Sequence, residues 1–135
     1  MKTSNSSQYG LMAVGYVATH SKDGNIMSDT IGKEYNIPLE YLLKILQQLV
    51  RAGILNSKRG PHGGFTMGRE LDKITLLDIF EAIDGPAPSE YYIAKQTKNE
   101  PFGVKMETVC EKATAEQNRI LQATTLAELV GSSQK

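Results

Sequence analysis

The chain has 135 residues, 40% of them apolar and 22% charged, which suits one core-bearing domain with an appended element. Net charge is zero, excluding a uniformly basic nucleic-acid coat, and no run reaches the ~18 apolar residues that would cross a bilayer. Charge is uneven, however: residues 1–70 carry eight Lys/Arg against five Asp/Glu and residues 71–135 seven against ten, so the halves are +3 and −3.

In chain order, residues 7–20 read as a helix with Tyr9, Met12, Ala13, Tyr16 and Val17 on one face. Its stretch LMAVGYVA (11–18) has the look of a signal-peptide core, but the polar run from Lys2 to Gln8 argues against that. After SKDGN breaks the chain, Ser28 suits a helix N-cap, Asn36 a left-handed stop and Pro38 a new helix start. From Leu39 the stripe Leu42, Ile45, Leu46, Leu49, Val50 predicts a long helix closed by Gly53. Two helices about three residues apart have helix-turn-helix spacing.

Beyond Gly53 the period changes. ILNSK (54–58) and GFTMG (64–68) are strand-like, and RGPHG between them predicts a tight hairpin with a basic tip. From Arg51 to Arg69 there are four basic residues and no acid, which points to a polyanion partner. The tip lacks the Lys-Ser/Thr finish of a nucleotide cradle. A helix resumes in ITLLDIFEAIDG, with Thr75 and Asp78 at capping-box spacing, Leu76, Ile79, Phe80 and Ile83 on the apolar face, and Gly85-Pro86 as its end.

Residues 86–103 are proline-rich and aperiodic and read as an exposed loop. A second long helix is expected from Phe102, with Phe102, Met106, Val109, Ala113 and Ile120 in a narrow seam that Glu116 interrupts. Such a seam suits pairing with another chain; the alternative is that it lies on the core. TTLAELV repeats the ITLLDIF pattern, with Thr125 and Glu128 as a second capping pair, and predicts a short closing helix. The expected organisation is 1–85 as a DNA-binding domain, 86–103 as a loop, 104–130 as dimerisation and closing helices, and 131–135 as a tail.

Helix, helix-turn-helix and hairpin is the order of a winged helix, so the fold class is mainly α with a small β-hairpin wing. In such a fold the recognition helix presents its first turn to the major groove. Here that turn carries Pro38, Leu39, Glu40 and Tyr41, with Lys44 one turn on. Glu40 suits a cytosine amino group, Tyr41 a phosphate or base edge, and Lys44 a phosphate, though a solvated helix face also explains Lys44. Ser28 and Thr30 open the supporting helix, where backbone N–H groups meet phosphate; capping explains Ser28 equally well. Lys58, Arg59 and His62 are the cations of the tip.

The string IPLEYLLKILQQLVRAGILNSKRGPHGGFTMGR, followed by DKITLLDIFEAIDG, resembles the Rrf-two family of bacterial transcription regulators. That family includes the iron–sulfur cluster regulator, the nitric-oxide-sensing repressor and the cysteine-metabolism repressor. The resemblance covers about residues 8–85, with a fainter anchor at TLAEL. It implies a homodimeric regulator that binds double-stranded DNA, a repressor on a near-palindromic operator. One departure stands out: members with a known readout often place an acid where this chain has Leu43, so its target differs or is read mainly through DNA shape.

Several members hold a 2Fe–2S cluster on three cysteines in the loop before the long helix, which here is residues 86–103 and has no cysteine. Cys110 is the single cysteine, too few for a cluster that takes about four ligands, so no cluster, metal or other cofactor is expected. A lone cysteine also fits a reducing cytoplasm. Cys110 is a redox candidate, a buried inert side chain being the simpler reading. Tyr91, Tyr92 and Phe102 offer an aromatic surface for an effector or protein partner, or ordinary packing. With His20 and His62 as the two histidines and no HExxH, catalysis is not expected. The remaining alternative is a winged helix that binds protein and not DNA, against which the basic tip argues.

Overall fold

The computed structural model describes residues 1–86 and 91–130. In order these form α1 (Asn5–Thr19), α2 (Ser28–Tyr35), α3 (Leu39–Arg51), β1 (Leu55–Lys58), β2 (Gly64–Met67), α4 (Leu76–Asp84), α5 (Ile93–Gln96), α6 (Pro101–Ala123) and α7 (Leu126–Val130). Single 3-10 turns cover Ser21–Asp23 and Leu71–Lys73. The architecture is the expected one: mainly helical, with one antiparallel hairpin and a long C-terminal helix.

α1 starts two residues earlier than its apolar pattern, because Ser4 caps it, accepting from the Ser7 N–H at 3.0 Å. The same hydroxyl donates to Asp84 at 2.9 Å. Its inward face is Ser7, Gly10, Ala13, Val14, Val17 and Ala18, whereas Met12, expected to point inward, is exposed. Small residues let α1 lie close to α4: a Cβ on Gly10 would sit 3.1 Å from Ile83 Cγ1. The 11–18 stretch is therefore core-packed helix.

Met27 holds the N-cap position of α2 without a side-chain hydrogen bond, so Ser28 is the first helical residue and not the cap. Asn36 ends α2 in the left-handed conformation, at φ +53°. Leu42, Ile45, Leu46 and Leu49 of α3 are buried with Ile31, while Val50 is half-buried. Each such Leu or Ile contributes about 1.5–3 kcal/mol of burial.

α4 opens with the expected capping box: Thr75 Oγ1 accepts from the Asp78 N–H at 3.1 Å, and Asp78 Oδ2 from the Thr75 N–H at 3.0 Å. The Gln48 amide of α3 donates to the Ile83 carbonyl at 3.2 Å, holding the other end of α4. The segments leading into α4 and α7 pair, with Leu76 N–H donating to Thr124 at 3.0 Å and Leu126 N–H to Ile74 at 2.8 Å, and α7 packs on the Leu71–Lys73 turn and α1. Thr125 accepts from the Glu128 N–H at 3.3 Å, as its spacing predicted.

The 86–103 segment is less of a loop than expected. It contains α5, and α6 begins at Pro101, whose fixed φ suits a first helical turn. α5 is seated on α6 by the Ala94 N–H donating to Glu107 Oε1 at 3.2 Å and by Tyr91 hydrogen-bonded to Thr114. A side chain at Gly103 would overlap Thr97, so only glycine lets the two helices approach this closely. Residues 87–90 of the expected loop and the expected 131–135 tail lie outside the described residues.

Candidate nucleic-acid interface

Two backbone hydrogen bonds place the wing against the helix-turn-helix. Ile26 N–H donates to the Phe65 carbonyl at 2.9 Å and Phe65 N–H to Ile26 at 2.8 Å, forming a bridge just before α2. Asn25 Nδ2 adds a bond to the His62 carbonyl at 2.9 Å. The Gly63-Gly64 pair makes this possible. A Cβ on Gly63 would overlap the Lys58 carbonyl, and one on Gly64 (φ +147°) would lie 2.7 Å from the Ile26 carbonyl.

The hairpin pairs Leu55 with Met67, Asn56 with Thr66, Ser57 with Phe65 and Lys58 with Gly64. It carries Lys58, Arg59 and His62 outward, all exposed. A cleft of about 300 Å³ between the wing and the start of α2 is lined by Met27, Ser28, Ser57, Lys58, Arg59 and Phe65 among others. Ser28 is thereby brought together with Lys58 and Arg59. Thr30 is exposed one turn into α2, and its N–H turns back to the Met27 carbonyl at 3.1 Å.

Pro38, Leu39, Glu40, Tyr41 and Lys44 are all exposed along the first half of α3. None of these five borders either of the clefts that Arg59 lines. The second half of α3 does: Gln47, Val50 and Arg51 face Ser57, Arg59 and Phe65 across a cleft of about 390 Å³. Gln47 and Arg51 continue the exposed ridge of Glu40 and Lys44 at helical spacing, a signal in the sequence that the focus on the first turn passed over. Arg69, by contrast, is a structural cation. It donates to the Ala52 carbonyl at 2.8 Å and pairs with Asp78 at 3.5 Å, so it ties the end of α3 to the cap of α4.

On α6, Phe102, Met106, Val109, Ala113 and Ile120 are exposed along one face, Val109 to 65%. The alternative that this seam lies on the chain's own core is therefore not what the structure shows. Glu116 on the same face pairs with Arg119, whose hydrogen bond and charge hold the carboxyl below its usual range. Cys110 is half-buried, not fully buried, and lines an apolar depression with Ile93, Met106 and Val109.

Residues 3–132 match the Rrf2 family, described as iron-dependent transcriptional regulators. The chain belongs to this family. As an Rrf2 protein it is a helix-turn-helix transcriptional regulator, a DNA-binding and non-enzymatic class. It is 28% identical to the CymR regulator of Bacillus subtilis over 130 residues, covering 96% of this chain and 89% of CymR. It is 31% identical to the IscR regulator of Xenorhabdus nematophila over 84 residues; that match covers 62% of this chain and 51%, about half, of IscR. Among solved structures, CymR, the global cysteine regulator of B. subtilis, superposes with a TM-score of 0.78 at 29% identity, covering 98% of both chains. IscR of T. potens does so at 0.77 and 25% identity, covering 98% of this chain and 88% of that one.

The family description raises the question of iron. The donors of this Rrf2 chain do not fit a thiolate-held cluster. Cys110 is its single cysteine, and the described residues hold no group of three or more His, Cys, Asp and Glu able to share a metal. Where the 86–103 segment meets α6, the contacts are Tyr91 to Thr114, Ala94 to Glu107 and Thr97 against Gly103. Among the described residues, no helix is long and apolar enough to cross a membrane.

Proposed function

We propose that this chain is a cytoplasmic repressor that binds a near-palindromic DNA operator as a homodimer, without an iron–sulfur cluster. The observation that carries the reading is the cleft joining Ser28 to Lys58 and Arg59, since it sets two basic wing residues beside the first turn of α2. One phosphate can then meet backbone N–H groups and cationic side chains together. The exposed first half of α3 supports placing Pro38, Leu39, Glu40, Tyr41 and Lys44 toward the duplex, and the exposure of Thr30 on α2 supports adding it to them. Residues 1–85 are assigned to DNA and 104–130 to pairing.

Homodimerisation is supported by the exposed α6 seam, which runs from Phe102 to Ile120, roughly 27 Å at 1.5 Å per residue. Apolar side chains spread over that length favour a second copy of the same helix over water. A twofold pair would present two α3 helices about 34 Å apart, one turn of DNA.

Selection of bound sequences from a random DNA pool is the deciding experiment. The expected outcome is a motif with inverted half-sites about one turn apart, bound with an affinity that falls steeply with salt. Recovery of no motif, together with salt-insensitive binding, would count against the DNA assignment.

A further inference from the structure

Leu39 and Leu43 lie one turn apart on α3 and are 43% and 42% exposed. The core does not require them, because Leu42, Ile45, Leu46 and Leu49 already form the buried face. At about 100° per residue they flank the ridge of Glu40, Lys44, Gln47 and Arg51. That ridge has two cations against one acid, so its charge complements a polyanion. Two leucines beside a cationic ridge would gain little from water or from a phosphate. The major groove offers one apolar group that can cover them, the C5-methyl of thymine.

We propose that Leu39 and Leu43 are specificity-determining residues that read thymine C5-methyl groups, so that each half-site requires A·T pairs at the positions they meet. This rests on the DNA-binding reading of α3 and goes beyond it by naming the group recognised. It also replaces shape readout at Leu43 with a direct contact. An exposed aliphatic side chain can neither donate nor accept, but it discriminates thymine from cytosine by the methyl it buries.

The test uses the full chain and an operator obtained by selection. Each thymine is replaced in turn by uracil, which removes the methyl and leaves every base hydrogen bond intact. The expected result is a loss of about fourfold in affinity, the worth of one buried methyl, at one or two positions per half-site. Leu43→Ala should abolish the thymine-over-uracil preference at one of those positions and leave the rest of the profile unchanged. Leu39→Ala should do the same at a neighbouring one. Both residues are exposed, so melting temperatures should stay close to the parent's, and a matched melt excludes misfolding as the cause. Indifference to uracil at every position, or a preference that survives both substitutions, overturns the proposal while leaving DNA binding intact. A parent protein that selects no sequence overturns the DNA reading itself.

Discussion

Arg59 and Arg69 are both exposed arginines near the hairpin, yet they do different work. Arg69 is held by the Ala52 carbonyl and Asp78, whereas Arg59 faces two clefts and pairs with no acid among the described residues. Arg59→Ala should therefore weaken binding to all DNA sequences alike and reduce the slope of log affinity against log salt by about one unit. Arg69→Ala should leave that slope unchanged and lower stability by about 1 kcal/mol or less, since its ion pair is partly solvated. Titrations at several salt concentrations, beside a urea melt of each variant, separate the two. Composition alone could not, because the sequence shows four cations between Arg51 and Arg69 and not which of them the fold consumes.

At the scale of elements, much was legible where chemistry is local. The Thr75–Asp78 spacing and the Asn36 stop each impose a backbone geometry that needs no distant partner. Thr75→Ala should cost about 1 kcal/mol, read from chemical denaturation, because it removes one half of that box. Elements whose shape depends on a neighbour were harder to read. Ser28 resembles a cap, but the Ile26–Phe65 bridge extends the chain only up to Met27, and the helix starts one residue earlier than a cap at Ser28 requires. α5 is only four residues long and is held by Glu107, Thr114 and Gly103, which lie on α6. Gly103→Val should force α5 off α6, exposing the Ala94 amide. Hydrogen exchange at residues 93–97 should then accelerate at least tenfold while α3 remains protected.

For the whole molecule, the proposed pairing rests on the long helix. Its seam was visible as a 3–4 spacing, but whether it met the chain's own core or an outside surface depended on where α4 and α5 settle. Both pack to one side of the seam, about 100° round the helix, where Gly103 and Leu121 are the buried residues of α6. Val109→Asp places a charge at the most exposed large apolar side chain of the seam. It should leave the monomer's fold intact, shift the species seen by analytical ultracentrifugation from dimer to monomer, and reduce affinity for a full operator toward that for a half-site. A dimer that persists with undiminished affinity would assign pairing to another surface.

The bridge between Ile26 and Phe65 has a consequence for control. With the Asn25–His62 bond beside it, a wing swinging away from α2 would break three hydrogen bonds at once, each contributing about 0.5–1.5 kcal/mol. Reader and wing are thus geared together, and a signal cannot cheaply retune one against the other. What it could change, in the proposed pair, is the separation of two such readers through α6, so that pairing would favour control by calliper over control by clamp.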